Sequence, residues 1–261
     1  MSNTKPGVHF IAPYLLNPVH SIRVDLIGAG GSGSQMLSCL GRIDHALREL
    51  GHKGLYVRVF DPDTVEAPNI GRQLYCEAEL GVNKAVALVS RFNAFFGTDW
   101  DARPCLWRAE TDRTHRPNIV ISCVDNLKGR RAVAEMMTSQ KPDPSAPEYT
   151  TWYWLDLGNA QKTGQAILGS ADVPQPVLQD IRTVNHLPLF SEEFDIDSID
   201  EADSGPSCSM ADALRKQDLF VNSVLAQNAG ALLWKLLREE QLSVRGFYLN
   251  LDTLTTVPME V

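Results

Sequence analysis

Apolar residues along this chain fall into two alternating spacings. Compact β-branched runs occupy residues 22–27, 55–60 and 118–124, and between them apolar positions recur every three or four residues. The first two runs are predicted strands with a helix over about 32–50 between them, the opening of a parallel, doubly wound sheet. A second helix is predicted near 82–96, where Ala85, Leu88, Val89 and Phe92 keep helical spacing. Residues 100–107 are expected as a third strand. The continuous run at 118–124 reads as a strand buried on both faces, with Asp125 at its C-terminal end, the edge where such sheets bind ligands.

The pattern changes after residues 141–147, a proline-punctuated stretch that cannot continue a helix and reads as a linker. Successive strands are predicted at 152–157 and 165–168, joined through Gly158 and Asn159. Residues 191–203 are acidic and poor in packing residues, as in a mobile solvated loop. A long helix over about 209–241 would bury Leu219, Val224, Leu225, Ala229, Leu232, Leu233 and Leu236. Two last strands, 246–251 and 255–260, flank Asp252 and Thr253. The whole is one α/β domain over 1–261: a Rossmann-like, mainly parallel sheet, extended by mixed strands in the C-terminal half.

Composition narrows the function classes. With 261 residues and 44% hydrophobic content, the chain can bury a large core. Its 24 basic and 32 acidic residues give a net charge of −8, which argues against a broad nucleic-acid-binding surface. No apolar run approaches membrane-spanning length, and residues 1–17 lack a signal peptide's pattern, so a cytoplasmic protein with no membrane partner is expected. Cysteines at 39, 76, 105, 123 and 208 are scattered, which fits reduced thiols. No C-x-x-C pair occurs, so no zinc ribbon is expected. The six histidines, His9, His20 and His186 among them, show no ligand spacing.

The chemistry is concentrated between residues 24 and 84. The first strand runs straight into Gly28, Ala29, Gly30, Gly31, Ser32, Gly33 and Ser34. Gly28 and Gly30 allow a tight turn and close approach to phosphate, Gly33 lets helix and strand pack, and the helix N-terminus offers free N–H groups. Such a turn alone also serves sites that bind nothing. The second strand, however, ends on Asp61, the acid that these folds use on a ribose hydroxyl. A dehydrogenase would then start a helix, whereas this chain continues through Asp63, Asn69, Arg72 and Gln73 to Lys84. An arginine and a lysine so close to the turn suit a triphosphate better than a nicotinamide cofactor.

These pieces resemble the ThiF/MoeB and ubiquitin-activating enzyme family, with its G-x-G-G-x-G-S turn, D-x-D-x-V-x-x-x-N-x-x-R-Q segment, G-x-x-K and D-N. All occur here in order, at 28–34, 61–73, 81–84 and 125–126. In the second half, residues 154–159, 163–165, 206–209 and 217–220 look like the ThiF-type family of the plasmid-borne PRTRC gene clusters. The resemblance implies an ATP-dependent adenylyltransferase acting on the C-terminal glycine of a small ubiquitin-like protein, as a homodimer. It divides the chain into a nucleotide-binding half, 1–140, and a partner-binding half, 150–261, with a crossover loop at about 190–208. Gly28, Gly30, Gly31, Gly33, Asp61, Asp63, Asn69, Arg72, Gln73 and Lys84 would bind ATP, with Asp61 on the ribose and Asn69, Arg72 and Lys84 on the phosphates. Asp125 would hold a magnesium ion, a role that an ordinary helix N-cap rivals. Cys208, expected before a helix, is either an acyl-accepting nucleophile or a small buried residue. Relatives that adenylate a carboxylate on a tRNA base, NAD-dependent oxidoreductases and non-catalytic partners of activating enzymes are the alternatives.

Overall fold

The computed structural model describes residues 7–195 and 217–261. Cys208, most of the crossover loop and the first residues of the predicted last helix lie outside them. Eleven strands are described: β1 (Gly7–Phe10), β2 (Ile22–Ile27), β3 (Leu55–Phe60), β4 (Asp101–Arg103), β5 (Ile119–Ser122), β6 (Tyr153–Asn159), β7 (Thr163–Ser170), β8 (Arg182–Thr183), β9 (Gln241–Leu242), β10 (Val244–Asn250) and β11 (Thr255–Glu260). The helices are α1 (Gly31–Glu49), α2 (Lys84–Phe96), α3 (Leu127–Ser139), the single turn α4 (Phe190–Glu193) and α5 (Val221–Glu239).

Eight strands form the main sheet in the order β11-β10-β7-β6-β5-β2-β3-β4. From β6 to β4 all neighbours are parallel, and β7, β10 and β11 add on antiparallel. The chain leaves β2 toward β3 on one side and returns to β5 on the other. That reversal opens a crevice at the C-terminal ends of β2 and β5, where doubly wound sheets bind ligands. Strands β8, β1 and β9 form a small second sheet.

The two faces of the sheet differ in kind. Ile22, Val24, Leu26, Val57, Ile121 and Leu155 point toward α1 and α5, whose Leu37, Leu40, Leu225 and Leu233 complete one continuous apolar core. The opposite face packs Val120, Trp154 and Ile167 on Leu127, Val133 and Phe190. That face also carries two buried ion pairs, a requirement of pairing for charges removed from water. Asp25 holds Arg58 at 2.7 Å, helped by the indole N–H of Trp107 at 2.8 Å, and Arg130 donates to Asp156 at 2.9 Å.

Three local expectations are corrected. The strand expected at 100–107 is only Asp101–Arg103; Trp100 and Trp107 are buried without being strand residues. Gly158 and Asn159 belong to β6, and the turn to β7 lies at 160–162. Residues 217–220 precede α5 instead of lying within it, so Leu219 is exposed and not part of the buried face. Among the described residues, no helix is long and apolar enough to cross a membrane.

Candidate active site

The turn after β2 is built by steric exclusion. Gly28 adopts φ +89°, and a Cβ there would lie 2.7 Å from the Cys123 carbonyl oxygen at the end of β5. A Cβ on Gly33 would lie 1.9 Å from the Gly28 carbonyl oxygen, so the first turn of α1 packs directly on the strand end. Gly30 is the N-cap of α1 and supplies no side-chain acceptor. The first N–H groups of the helix are thus left for an anion, in the positive field of the helix dipole.

Asp61 is 5% exposed and locks this turn from β3: Oδ2 accepts from the Ala29 N–H at 2.6 Å and Oδ1 from the Asp63 N–H at 2.8 Å. Burial raises its carboxyl pKa, opposed by those two N–H groups and by the charge of Lys84. Each oxygen keeps a further lone pair with which to accept. Tyr75 fixes the turn from above, its hydroxyl donating to the Ala29 carbonyl at 2.6 Å. Asn83 caps α2 by accepting from the Val86 N–H, and the next residue, Lys84, extends Nζ to Asp63 Oδ2 at 3.1 Å. Lys84 is 9% exposed, whereas the Asp63 side chain is 65% exposed, so incoming phosphate can displace that weak, hydrated partner.

The loop after Asp63 is held by its own side chains. Asn69 Oδ1 accepts from the Glu66 N–H at 2.9 Å, and the Asn69 carbonyl accepts from the Gln73 N–H at 2.9 Å. Arg72 donates through Nη1 to Gln217 Oε1 at 2.6 Å. Among the described residues its Nε and the Gln73 Oε1, both shut off from solvent, have no hydrogen-bond partners, and burial lowers the pKa of Arg72. Buried polar groups left unpaired cost stability, so both atoms are unspent binding capacity beside the crevice.

Asp125 lies in the loop that leaves β5, two residues beyond the Cys123 carbonyl against which Gly28 packs. The helix cap expected there is Asn126, which accepts from the Gly129 N–H at 3.0 Å. Asp125 stays exposed, with Asn126 Nδ2 3.3 Å from its Oδ1. One exposed carboxylate at this edge fits magnesium, which takes one or two carboxylates and fills its other positions with phosphate oxygens and water. Among the described residues, no group of three or more His, Cys, Asp and Glu could hold a metal ion by itself.

A further set of residues closes the crevice; sequence reasoning quoted Ser32, Asn159 and Gln217 as parts of motifs without giving them a role, and it missed Asn222. Asn222, 2% exposed in the first turn of α5, accepts from Ser32 Oγ at 2.9 Å and donates to Gln217 Oε1 at 3.2 Å. Ser32 Oγ also lies 3.5 Å from Asn159 Oδ1 at the end of β6. The glycine turn, the Arg72 loop, β6 and α5 are thus joined by one chain of hydrogen bonds. The available signal was positional: 222, 225, 229, 232 and 236 form one helical stripe, and Asn222 is its only polar member. The described cysteines contribute nothing here. The half-buried Cys123 has its thiol pKa raised by desolvation and then by the charge of Asp156, and Cys39 is buried between α1 and α5.

The doubly wound sheet thus gathers an anion-ready glycine turn, a buried acid after β3 and two cations, Arg72 and Lys84, beyond the ends of β2 and β3. The ThiF family profile matches residues 7–259, and the chain belongs to the ThiF family. Its fold is similar to that of E. coli MccB with MccA-N7isoASN, at 15% identity and TM-score 0.56, covering 94% of this chain and 65% of MccB. E. coli MccB with ATP matches at 13% identity and TM-score 0.54, covering 94% and 64%. PaaA matches at 16% identity and TM-score 0.55, covering 92% and 64%. The chain thus spans somewhat less than two thirds of these structures. No curated protein sequence matches it.

Proposed function

We propose that this chain is an ATP-dependent adenylating enzyme that activates the C-terminal carboxylate of a small ubiquitin-like protein. The observation that carries the reading is convergence: the α1 N-terminus, Asp61, Arg72, Lys84 at the start of α2, and Asp125 all follow the C-terminal ends of β2, β3 and β5. ThiF-family membership and the likeness to E. coli MccB, one structure of which contains ATP, support it.

The glycine turn and α1 N-terminus receive phosphate oxygens, and Asp61 accepts from the ribose. Arg72 and Lys84 neutralise the charge that grows as pyrophosphate departs. A carboxylate oxygen of the substrate attacks the α-phosphorus, its bond to the bridging oxygen breaks, and the electron pair leaves on pyrophosphate. No base is needed, because a C-terminal carboxylate is already ionised near neutral pH. Magnesium, held by Asp125, would supply further charge neutralisation when bound. What the chain contributes is mainly placement of the two reactants.

Finer parts of the reading are a homodimer, cytoplasmic residence, a PRTRC cluster context and acyl transfer to Cys208. ATP–pyrophosphate exchange tests the core of it. Exchange that requires an added small protein ending in glycine is the expected result; none with any such protein, despite ATP binding, would sink the proposal. Cys208→Ala separates the last step: adenylation that survives while transfer is lost is expected, and unchanged transfer makes Cys208 structural.

A further inference from the structure

At the sheet edge opposite the glycine turn, a cavity of about 170 Å3 lies below the starts of β5 and β6. Arg113, Arg116, Lys141, Asp143, Tyr149 and Thr151 line it. Three cations thus face one carboxylate, in a chain whose net charge is −8. The carboxylate is largely engaged elsewhere: Asp143 Oδ1 accepts from Ser145 N at 2.9 Å and from Ser145 Oγ at 2.6 Å, while Arg113 approaches Oδ2 only at 3.4 Å. Two guanidiniums lie over the Tyr149 ring, Arg23 at 5.7 Å and Arg113 at 5.8 Å from its centroid, close enough for cation–π attraction. Arg116 Nε is shut off from solvent and has no hydrogen-bond partner among the described residues. The carboxyl end of α3, whose dipole favours a cation, offsets only part of this positive charge.

From this we infer a second anion site, which takes a phosphate group. The cavity is too small for a nucleotide, since drug-sized ligands occupy roughly 300–1,000 Å3. A tetrahedral oxyanion fits, and paired guanidinium and ammonium donors recognise one with short, charge-assisted hydrogen bonds. The ligand is free phosphate or the phosphate of a small phosphomonoester. Its site is separate from the proposed ATP site and does not depend on that assignment.

Calorimetric titration of the full chain with inorganic phosphate and with ribose 5-phosphate tests this. One-to-one binding is expected, weakened about tenfold by Arg116→Gln and by Lys141→Gln, and retained in Lys84→Ala. Tighter binding of ribose 5-phosphate makes the ligand a phosphomonoester, and equal binding makes it free phosphate. Absence of binding at millimolar ligand, or wild-type affinity in both cavity variants, overturns the site. Loss in Lys84→Ala alone also overturns it, by moving the phosphate to the glycine turn. Lys141 is exposed, so Lys141→Gln decides the matter if Arg116→Gln fails to fold.

Discussion

Arg72 and Gln217 meet across 2.6 Å, and this bond ties the loop after β3 to the residues that lead into α5. Gln217 also accepts from Asn222, which in turn accepts from Ser32 in the glycine turn. The cation proposed to stabilise departing pyrophosphate is therefore oriented from the C-terminal half of the chain. Gln217→Ala is expected to raise the KM for ATP roughly threefold to tenfold with little loss of stability, because a mispositioned cation loses binding without unfolding anything. Initial-rate kinetics beside a melting curve check this; a large fall in melting temperature with unchanged KM would make the contact purely structural.

Asp125→Ala should abolish adenylation and leave the fold intact, since the side chain is exposed and α3 is capped by Asn126. Pyrophosphate exchange and circular dichroism on the same preparation give both readouts. Full activity would remove the magnesium assignment.

Gly33→Ala places a Cβ within 1.9 Å of a backbone oxygen, where no flexible side chain can yield. The α1 N-terminus must shift away from β2. Loss of ATP affinity together with about 1–3 kcal/mol of stability is expected by calorimetry and denaturant unfolding.

Arg58→Leu strands Asp25, 0% exposed, with the indole of Trp107 as its one remaining donor among the described residues. A buried pair broken on one side costs about 3–5 kcal/mol. The double variant Asp25→Asn with Arg58→Leu should recover part of that loss in urea unfolding; no recovery would mean that packing, not charge, sets the cost.

His9 is buried, with Nδ1 donating to the Val184 carbonyl at 2.7 Å and Nε2 accepting from the Tyr153 hydroxyl at 2.9 Å. Burial lowers its pKa from 6.5 to about 4. The unfolded chain therefore binds a proton that the folded chain refuses between these values. Stability is complete above pH 6.5 and declines as pH falls toward 4, by roughly 3 kcal/mol in total from this group. In His9→Gln that part of the slope should vanish from a series of denaturant melts; an unaltered slope would assign the acid sensitivity to other groups.

The strands β2 and β3 were legible to the residue, because each is an apolar run closed by a turn glycine or an acid. Helix α2 begins two residues later than its apolar spacing suggests, since Asn83 caps it. Strands β1, β8 and β9 left no periodic trace: they are two to four residues long and pair with segments far away in the chain. Indole-rich residues 100–107 look like a strand by composition, yet the two tryptophans serve burial and a bond to Asp25, which only tertiary contact reveals. At the site, the residue types from Gly28 to Lys84 were readable because their spacing is local. Asn222 was not, and Gln217 was read only as part of a motif without its contact, because their partners Ser32 and Arg72 lie well over a hundred residues earlier.

Strand β11 ends the sheet on one side, and most of its residues are exposed. It carries Pro258 opposite Phe247, and Glu260 follows two positions later. Proline has no N–H to offer another strand, and the glutamate carboxylate in this edge strand repels its own copy. The row of strands thus carries its own stop signal, so two molecules that meet along this rim gain little by joining their sheets into a growing fibre.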